Sequence, residues 1–94
     1  MDPIVINEDF QPGNGTRYDI QLVRDSNGFI TITWLLYGGV GGTSFRFNNG
    51  ARIKGMENHL GYFMEKMDLR HKGDATALIQ RAQRFNEETA VTAD

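Results

Sequence analysis

The sequence predicts an α+β fold, a three-stranded antiparallel β-meander followed by two α-helices packed on one face of the sheet. Two observations lead to this prediction. Residues 17–47 show the alternation of apolar and polar side chains that is typical of half-buried strands, whereas residues 51–88 show apolar side chains at helical spacing. Short turns between the strands favour an antiparallel meander, and two following helices can cover one of its faces. A length of 94 residues predicts one domain spanning residues 1–94.

The domain divides into four parts by composition. Residues 1–16 are predicted to form an extended N-terminal arm, because prolines, glycines and an Asn-Gly pair are typical of loops, although residues 4–6 can add a short edge strand. The meander is expected in residues 17–50 and the two helices in residues 51–88. Residues 89–94 are small, polar and terminal, so a loose C-terminus is expected there.

Three strands are predicted, at residues 17–24, 29–37 and 43–47, with an Asn-Gly hairpin signal between the first two. The second strand is unusual because both of its faces carry apolar side chains. One face should lie under the helices, and its members are Ile30, Ile32, Trp34 and Leu36. The other face offers Phe29, Leu35 and Tyr37.

A sheet with one solvated face normally alternates more cleanly than this second strand does. We therefore expect the face with Leu35 and Tyr37 to be covered. A homo-oligomer, with a dimer as the first expectation, is the leading interpretation, through this face or through an open sheet edge. The alternatives are that the N-terminal arm folds back over the face or that another partner covers it.

The period of the apolar side chains changes after residue 50. A first helix is predicted, capped by Asn49, and its apolar stripe consists of Ile53, Met56, Leu60, Phe63, Met64 and Met67. Asp74 is expected to cap a second helix, whose stripe consists of Ala75, Leu78, Ile79, Ala82 and Phe85.

Several kinds of chemistry lack the residues they need. The chain contains no cysteine, which excludes disulfides, thiolate nucleophiles, zinc–thiolate sites and iron–sulfur clusters. His59 and His71 are the only histidines, and their spacing is not that of a metal-binding pair. No Gly-x-Ser-x-Gly nucleophile motif is present. The sequence therefore predicts a protein that is not an enzyme and that has no metal and no cofactor.

The first residues lack the basic and apolar regions of a signal peptide, and the longest apolar run, residues 34–37, is too short to span a membrane. No membrane partner is expected. The absence of cysteine favours a reducing compartment. We expect a cytoplasmic protein, or one in the host cytoplasm if it is viral.

A glycine-rich loop is the most unusual local feature, and its glycines are Gly38, Gly39, Gly41 and Gly42. The plain interpretation is a flexible hairpin tip, because known phosphate loops stand between a strand and a helix. One alternative is a recognition loop beside Trp34 and Tyr37. Another is a cradle for a nucleotide or other anion, completed by Arg46 or Arg70.

Two groups of polar residues on the helices are candidate binding surfaces. Opposite the apolar stripe of the first helix lie Arg52, Gly55, His59, Tyr62 and Lys66. Tyrosine and arginine are frequent at interfaces, so this row predicts a docking patch, with an ordinary solvated face as the alternative. A basic cluster consists of Arg70, His71, Lys72, Arg81 and Arg84, and it can meet phosphates or an acidic protein surface. Cations at the end of the first helix also suit the helix dipole.

The leading functional prediction is a small non-catalytic protein that docks on another macromolecule, with a protein as the expected partner. Its predicted partner-binding residues are Trp34, Tyr37, Arg52, His59, Tyr62 and Lys66. A compact, cysteine-free chain without catalytic signatures looks like many small accessory proteins encoded by phages, so an inhibitor of a host or defence complex fits this prediction. The alternatives are an oligomeric binder of a nucleotide or anion through the glycine-rich loop and a nucleic-acid binder through the 70–84 cluster. A net charge of −2 does not favour the latter.

Overall fold

The computed structural model describes residues 2–13, 15–36 and 42–90. Its strands are β1 (Ile4–Phe10), β2 (Tyr18–Arg24), β3 (Ile30–Leu36) and β4 (Thr43–Phe47). They form one antiparallel sheet in the order β1-β2-β3-β4. The helices follow the sheet: α1 (Gly50–Gly55), a 3-10 turn (Met56–Asn58), α2 (Leu60–Lys66) and α3 (Lys72–Ala90).

The predicted α+β fold with an antiparallel meander is confirmed, with one strand more than expected. The N-terminal arm is not merely extended, because β1 pairs with β2 along its whole length, from Ile4 opposite Arg24 to Phe10 opposite Tyr18. Three side chains of β1 turn toward the core and pack against it: Ile4, Ile6 and Phe10. The arm therefore lies beside β2 and does not fold back over the second face of the sheet.

The core lies between one face of the sheet and the helices. Its largest fully buried members are Phe47 from β4, Phe63 from α2 and Phe85 from α3. Ile30 and Ile32 of β3 are completely buried, as the alternation in the sequence predicts. Burial of such side chains contributes roughly 1.5–3 kcal/mol each, which makes this layer the main source of stability.

The single first helix expected after residue 50 is interrupted. Asn49 caps α1 as predicted, since its Oδ1 accepts a hydrogen bond from the Arg52 backbone N–H at 3.0 Å. The chain then leaves the α-helical conformation, and His59, with φ −132° and ψ 43°, separates the 3-10 turn from α2. Gly55 and Gly61 flank this break, and each weakens a continuous helix by about 1 kcal/mol relative to alanine.

The second predicted helix is longer than expected at both ends. It starts at Lys72, so Asp74 lies inside the first turn of α3 and is not its cap. The Asp74 carboxylate accepts a hydrogen bond from the Tyr18 hydroxyl at 2.5 Å instead, in the interior. The helix continues to Ala90, and residues 91–94 lie outside the described part of the chain. None of the helices in the described ranges combines the length and the apolar character needed to cross a membrane.

The buried Arg24 joins the sheet to the C-terminal half of α3. Its Nε donates to the Thr89 hydroxyl at 2.7 Å, and its Nη2 donates to both the backbone oxygen and the side-chain oxygen of Asn86. Its Nη1 donates to the Gly28 backbone oxygen at 3.2 Å, at the turn between β2 and β3. A charged side chain can be buried here because each nitrogen of its guanidinium group has an acceptor.

Candidate functional site

Trp34, the first of the predicted partner-binding residues, belongs to the core. Only 9% of it is exposed, and its Nε1 donates a hydrogen bond of 2.7 Å to the Met67 backbone oxygen. Its ring meets the Tyr18 ring edge-on, with the centroids 5.1 Å apart. The structure therefore uses this tryptophan to hold the end of α2 on the sheet.

Most of the glycine-rich loop lies outside the described residues, together with its neighbour Tyr37, so the predictions for Gly38, Gly39 and Gly41 stay predictions. Gly42 is described, and atoms of β3 lie close to its Cα atom. A Cβ atom at Gly42 would lie 2.6 Å from Cδ2 of Leu35 and 3.0 Å from the Trp34 backbone oxygen. A side chain at position 42 would therefore have to displace the partly exposed end of Leu35 and would press against the backbone of β3.

Tyr62 is the large aromatic side chain most exposed at the surface of the described chain, with 52% of it accessible. The ring stands perpendicular to the ring of Phe45, with the centroids 6.1 Å apart. The Lys66 ammonium lies 5.6 Å from the Tyr62 ring centroid. A half-exposed tyrosine is thus held in a defined orientation by a strand residue on one side and a cation on the other.

Two arginines and a methionine complete this surface. Arg46, Arg52 and Met56 line a depression of about 230 Å³ together with Phe45 and Tyr62. We call Phe45, Arg46, Arg52, Met56, Tyr62 and Lys66 the Tyr62 patch. Three of the predicted partner-binding residues, Arg52, Tyr62 and Lys66, belong to it.

His59 is exposed at the junction before α2 but does not line this depression. The single helical row that was predicted to include it does not exist, because the helix is interrupted there. Conversely, the contact between Phe45 and Tyr62 was not expected, and neither was Arg46 at the same depression. Nothing in the sequence indicates that contact, since it depends on how α2 crosses β4.

The Tyr62 patch is positively charged. No carboxylate lines its depression in the described part of the chain. Arg52 is exposed and makes no side-chain hydrogen bond or ion pair with the described residues. Arg46 stacks over the Phe29 ring, 4.2 Å from its centroid, and its Nη2 lies 3.7 Å from Asp25. At that distance an exposed ion pair is weak, so both arginines can contact a partner.

Arg70, predicted to complete an anion cradle, lines a different depression, of about 330 Å³, with Trp34, Tyr18 and His71. Arg46 and Arg70 are therefore not brought together. Burial raises the pKa of the Tyr18 hydroxyl, and the hydrogen bond to Asp74 and the negative charge of that residue raise it further. Tyr18 is accordingly a neutral hydrogen-bond donor at physiological pH.

The predicted basic cluster is divided between the surface and the interior. Arg81 is 7% exposed and forms a bidentate pair with Glu8 of β1, with its Nε and Nη2 both 3.0 Å from the two carboxylate oxygens. Arg70, Lys72 and Arg84 remain exposed. Of the four arginine and lysine residues in the predicted cluster, three are therefore exposed. Arg81 is not part of that exposed surface.

The face of the sheet opposite the helices, which carries Leu35, is open. It is more polar than the sequence of β3 by itself predicts. Its middle row is hydrogen-bonded across the strands, by Gln21 to Asn7 at 3.2 Å and by Thr33 to Ser44 at 2.8 Å. Leu35 is 37% exposed at one end of the face. The polar side chains come from the neighbouring strands, so this face does not have to be covered to be stable.

No group of three metal-ligating side chains occurs within residues 2–13, 15–36 and 42–90, and both histidines are exposed. Comparison of the chain with protein-family models, with curated proteins and with solved structures finds no match. The function is therefore inferred from the residues of this chain.

Proposed function

We propose that this chain is a small non-catalytic protein that docks on another protein, and that the Tyr62 patch is its docking surface. The observation that carries the proposal is a tyrosine 52% exposed, oriented by Phe45, with Lys66 beside its ring and a depression next to it that no carboxylate of the described residues lines. Tyrosine and arginine contribute more than other residues to binding energy at protein interfaces, where they fill pockets and exclude water. A tyrosine held in place before binding loses little conformational entropy when it binds.

The charge of the patch defines the partner. Arg46, Arg52 and Lys66 favour a surface with acidic residues around an apolar centre that receives Tyr62. Met56 lines the same depression, and its flexible thioether can adjust to the shape of a partner. A protein of this kind acts by occupying a surface, as an inhibitor of a host or defence complex does, and we place that action in the cytoplasm because the chain has no cysteine.

The fold does not depend on the exposed side of the patch. α2 is anchored by Phe63, which is completely buried next to the exposed Tyr62. Replacing Tyr62 or Arg52 therefore removes a binding side chain without opening the core. This separation makes the proposal testable with variants that stay folded.

The test is affinity capture from cells of the natural source, with the wild type compared with Tyr62→Ser and Arg52→Gln. We expect a partner protein that the wild type retains and that both variants lose, with each variant weakening the complex by about tenfold or more. Lys54→Gln is the matched control, because it removes an exposed cation of α1 that lines neither depression, and it should retain the partner. Circular dichroism should show the same unfolding temperature for Arg52→Gln as for the wild type.

Several outcomes would reject this function. The proposal is wrong if the variants and the wild type retain the same proteins. Loss of the captured partner after nuclease treatment would indicate nucleic acid instead, with affinity falling steeply as salt increases. Native mass spectrometry of the purified protein would favour the small-molecule alternative if it showed a retained mass of a few hundred daltons.

A further inference from the structure

The outer edge of β1 is open. β1 is the first strand of the sheet, so only one of its sides pairs with a neighbour, β2. Seven consecutive residue pairs join the two strands without a bulge. Edge strands that are regular and long present a row of backbone donors and acceptors to another chain.

α3 forms a wall beside this edge. Ala77, Gln80, Arg81 and Arg84 recur at helical spacing and so share one side of the helix. With the end of β1 they line a cavity of about 350 Å³ that is open to solvent. We call the cavity and the adjoining edge of β1 the β1–α3 groove, lined by Phe10, Pro12, Ala77, Gln80, Arg81 and Arg84. It shares no residue with the Tyr62 patch.

The groove has more hydrogen-bond donors than acceptors. Arg81 donates hydrogen bonds from Nε and Nη2 to Glu8, but its buried Nη1 has no acceptor among the described residues. A buried donor without an acceptor is costly, so a ligand that supplies one is favoured. Arg84 is 65% exposed, and its Nε lies 3.9 Å from Glu88, a weak contact that a ligand can replace.

We propose that the β1–α3 groove binds an extended peptide, which adds to β1 as a fifth strand and carries an acidic side chain toward Arg81 and Arg84. Backbone hydrogen bonds to an open edge supply affinity in this mode of recognition, and alternate side chains supply specificity. Phe10 and Ala77 offer an apolar contact for the neighbouring side chain of the peptide. A carboxylate is the complement of the unpaired Nη1 and of Arg84.

The probe is a blocked peptide of alternating threonine and valine with one central glutamate, titrated at millimolar concentration into the full ¹⁵N-labelled chain. We expect the largest amide shifts in β1 and along the groove side of α3. The matched peptide with glutamine in place of glutamate should bind about fivefold more weakly, the effect expected for one exposed ion pair. A peptide with proline beside the glutamate should not bind, because proline removes a backbone donor.

Two variants separate this site from the docking patch. Arg84→Gln should reduce the difference between the glutamate and glutamine peptides, with Arg81 accounting for what is left, whereas Arg52→Gln, in the Tyr62 patch, should leave it unchanged. The proposal fails if the glutamate peptide causes no shifts in β1, or if the proline peptide binds equally well. It also fails if inorganic phosphate reproduces the β1 shifts, or if β1 signals broaden with protein concentration alone, which would show a second copy on this edge.

Discussion

Tyr18 and Asp74 form a hydrogen bond in the interior although 55 residues separate them in the sequence. Tyr18 is 4% exposed and Asp74 is 1% exposed, and the hydroxyl-to-carboxylate distance is 2.5 Å. The alternation in β2 predicts that Tyr18 faces inward, but the partner of its hydroxyl is not evident from any local pattern. Asp74 resembles a helix cap in the sequence, and the fold uses its carboxylate for the sheet.

Because the pKa of Tyr18 is raised in the folded state, the free energy of unfolding depends on pH in the alkaline range. The folded state holds this proton more tightly than the unfolded chain, so the contribution of Tyr18 is complete below about pH 10 and is lost as the pH rises further. We expect the free energy of unfolding, measured with urea, to fall less steeply above about pH 10 in Tyr18→Phe than in the wild type. Tyr62→Phe is the control and should follow the wild type; equal slopes for Tyr18→Phe would contradict the prediction.

At the scale of elements, the end of α2 is closed by an unusual residue. Asp68 has φ 53°, in the left-handed region, directly after α2. The Leu69 backbone N–H donates to the Met64 oxygen at 2.8 Å, and the Asp68 N–H donates to the Glu65 oxygen at 3.3 Å. These bonds satisfy the last carbonyl groups of the helix. The left-handed residue that makes such an ending possible is usually a glycine, and here it is Asp68.

Replacing Asp68 tests whether this end stores strain. Asp68→Gly should raise the free energy of unfolding by up to about 1 kcal/mol, because glycine adopts the left-handed conformation without a steric penalty. Asp68→Ala removes the same charge but keeps Cβ, so it should not stabilise the protein. Thermal unfolding of the two variants at one pH compares them, and equal effects would assign any change to the charge and not to the backbone.

The element scale is also where the sequence misled. Apolar spacing predicts a single helix from residue 51 to 67, and the fold divides it at Met56–Asn58. The apolar stripe is continuous through the break because α1 and α2 both pack against α3. Periodicity therefore reports which side chains are buried, and it does not report whether the backbone between them stays helical.

At the scale of the whole molecule, sheet and helices are joined by polar contacts that depend on close packing. Gly50 opens α1 against α3, and a Cβ atom there would lie 2.5 Å from Nδ2 of Asn86. The side-chain oxygen of Asn86 holds the buried Arg24. α1, α3 and β2 thus meet at one point, and any shift of Asn86 is transmitted to the guanidinium.

Gly50→Ala should therefore destabilise the molecule by about 1–3 kcal/mol, the usual cost of overpacking, because it displaces Asn86 and weakens the contacts of Arg24. Gly55→Ala is the matched control. No atom lies within 4 Å of the Cβ position at Gly55, so alanine should stabilise α1 by up to about 1 kcal/mol. Chemical denaturation measures both, and the packing argument is wrong if the two variants change stability in the same direction.

The open face of the sheet also belongs to this scale. Val5 is 51% exposed and Leu35 is 37% exposed on it, in the rows on either side of the hydrogen-bonded polar row. The N-terminal arm, which was one candidate to cover this face, forms β1, the edge strand of the sheet itself. Two candidates to cover the face remain, a second copy of the chain and another partner. A homo-oligomer, with a dimer as the first expectation, therefore stays a prediction.

The sequence by itself determined the α+β class, the order of strands before helices, the buried stripes and the Asn49 cap, because alternation, helical period and capping depend on neighbours along the chain. Only the tertiary structure decided that the strand beginning at residue 4 runs to residue 10 and pairs with β2 along its whole length. It also decided that Phe45 meets Tyr62 and that Arg81 pairs with Glu8. These contacts join elements distant in sequence, and they depend on how helices lie on a sheet, which no local period specifies.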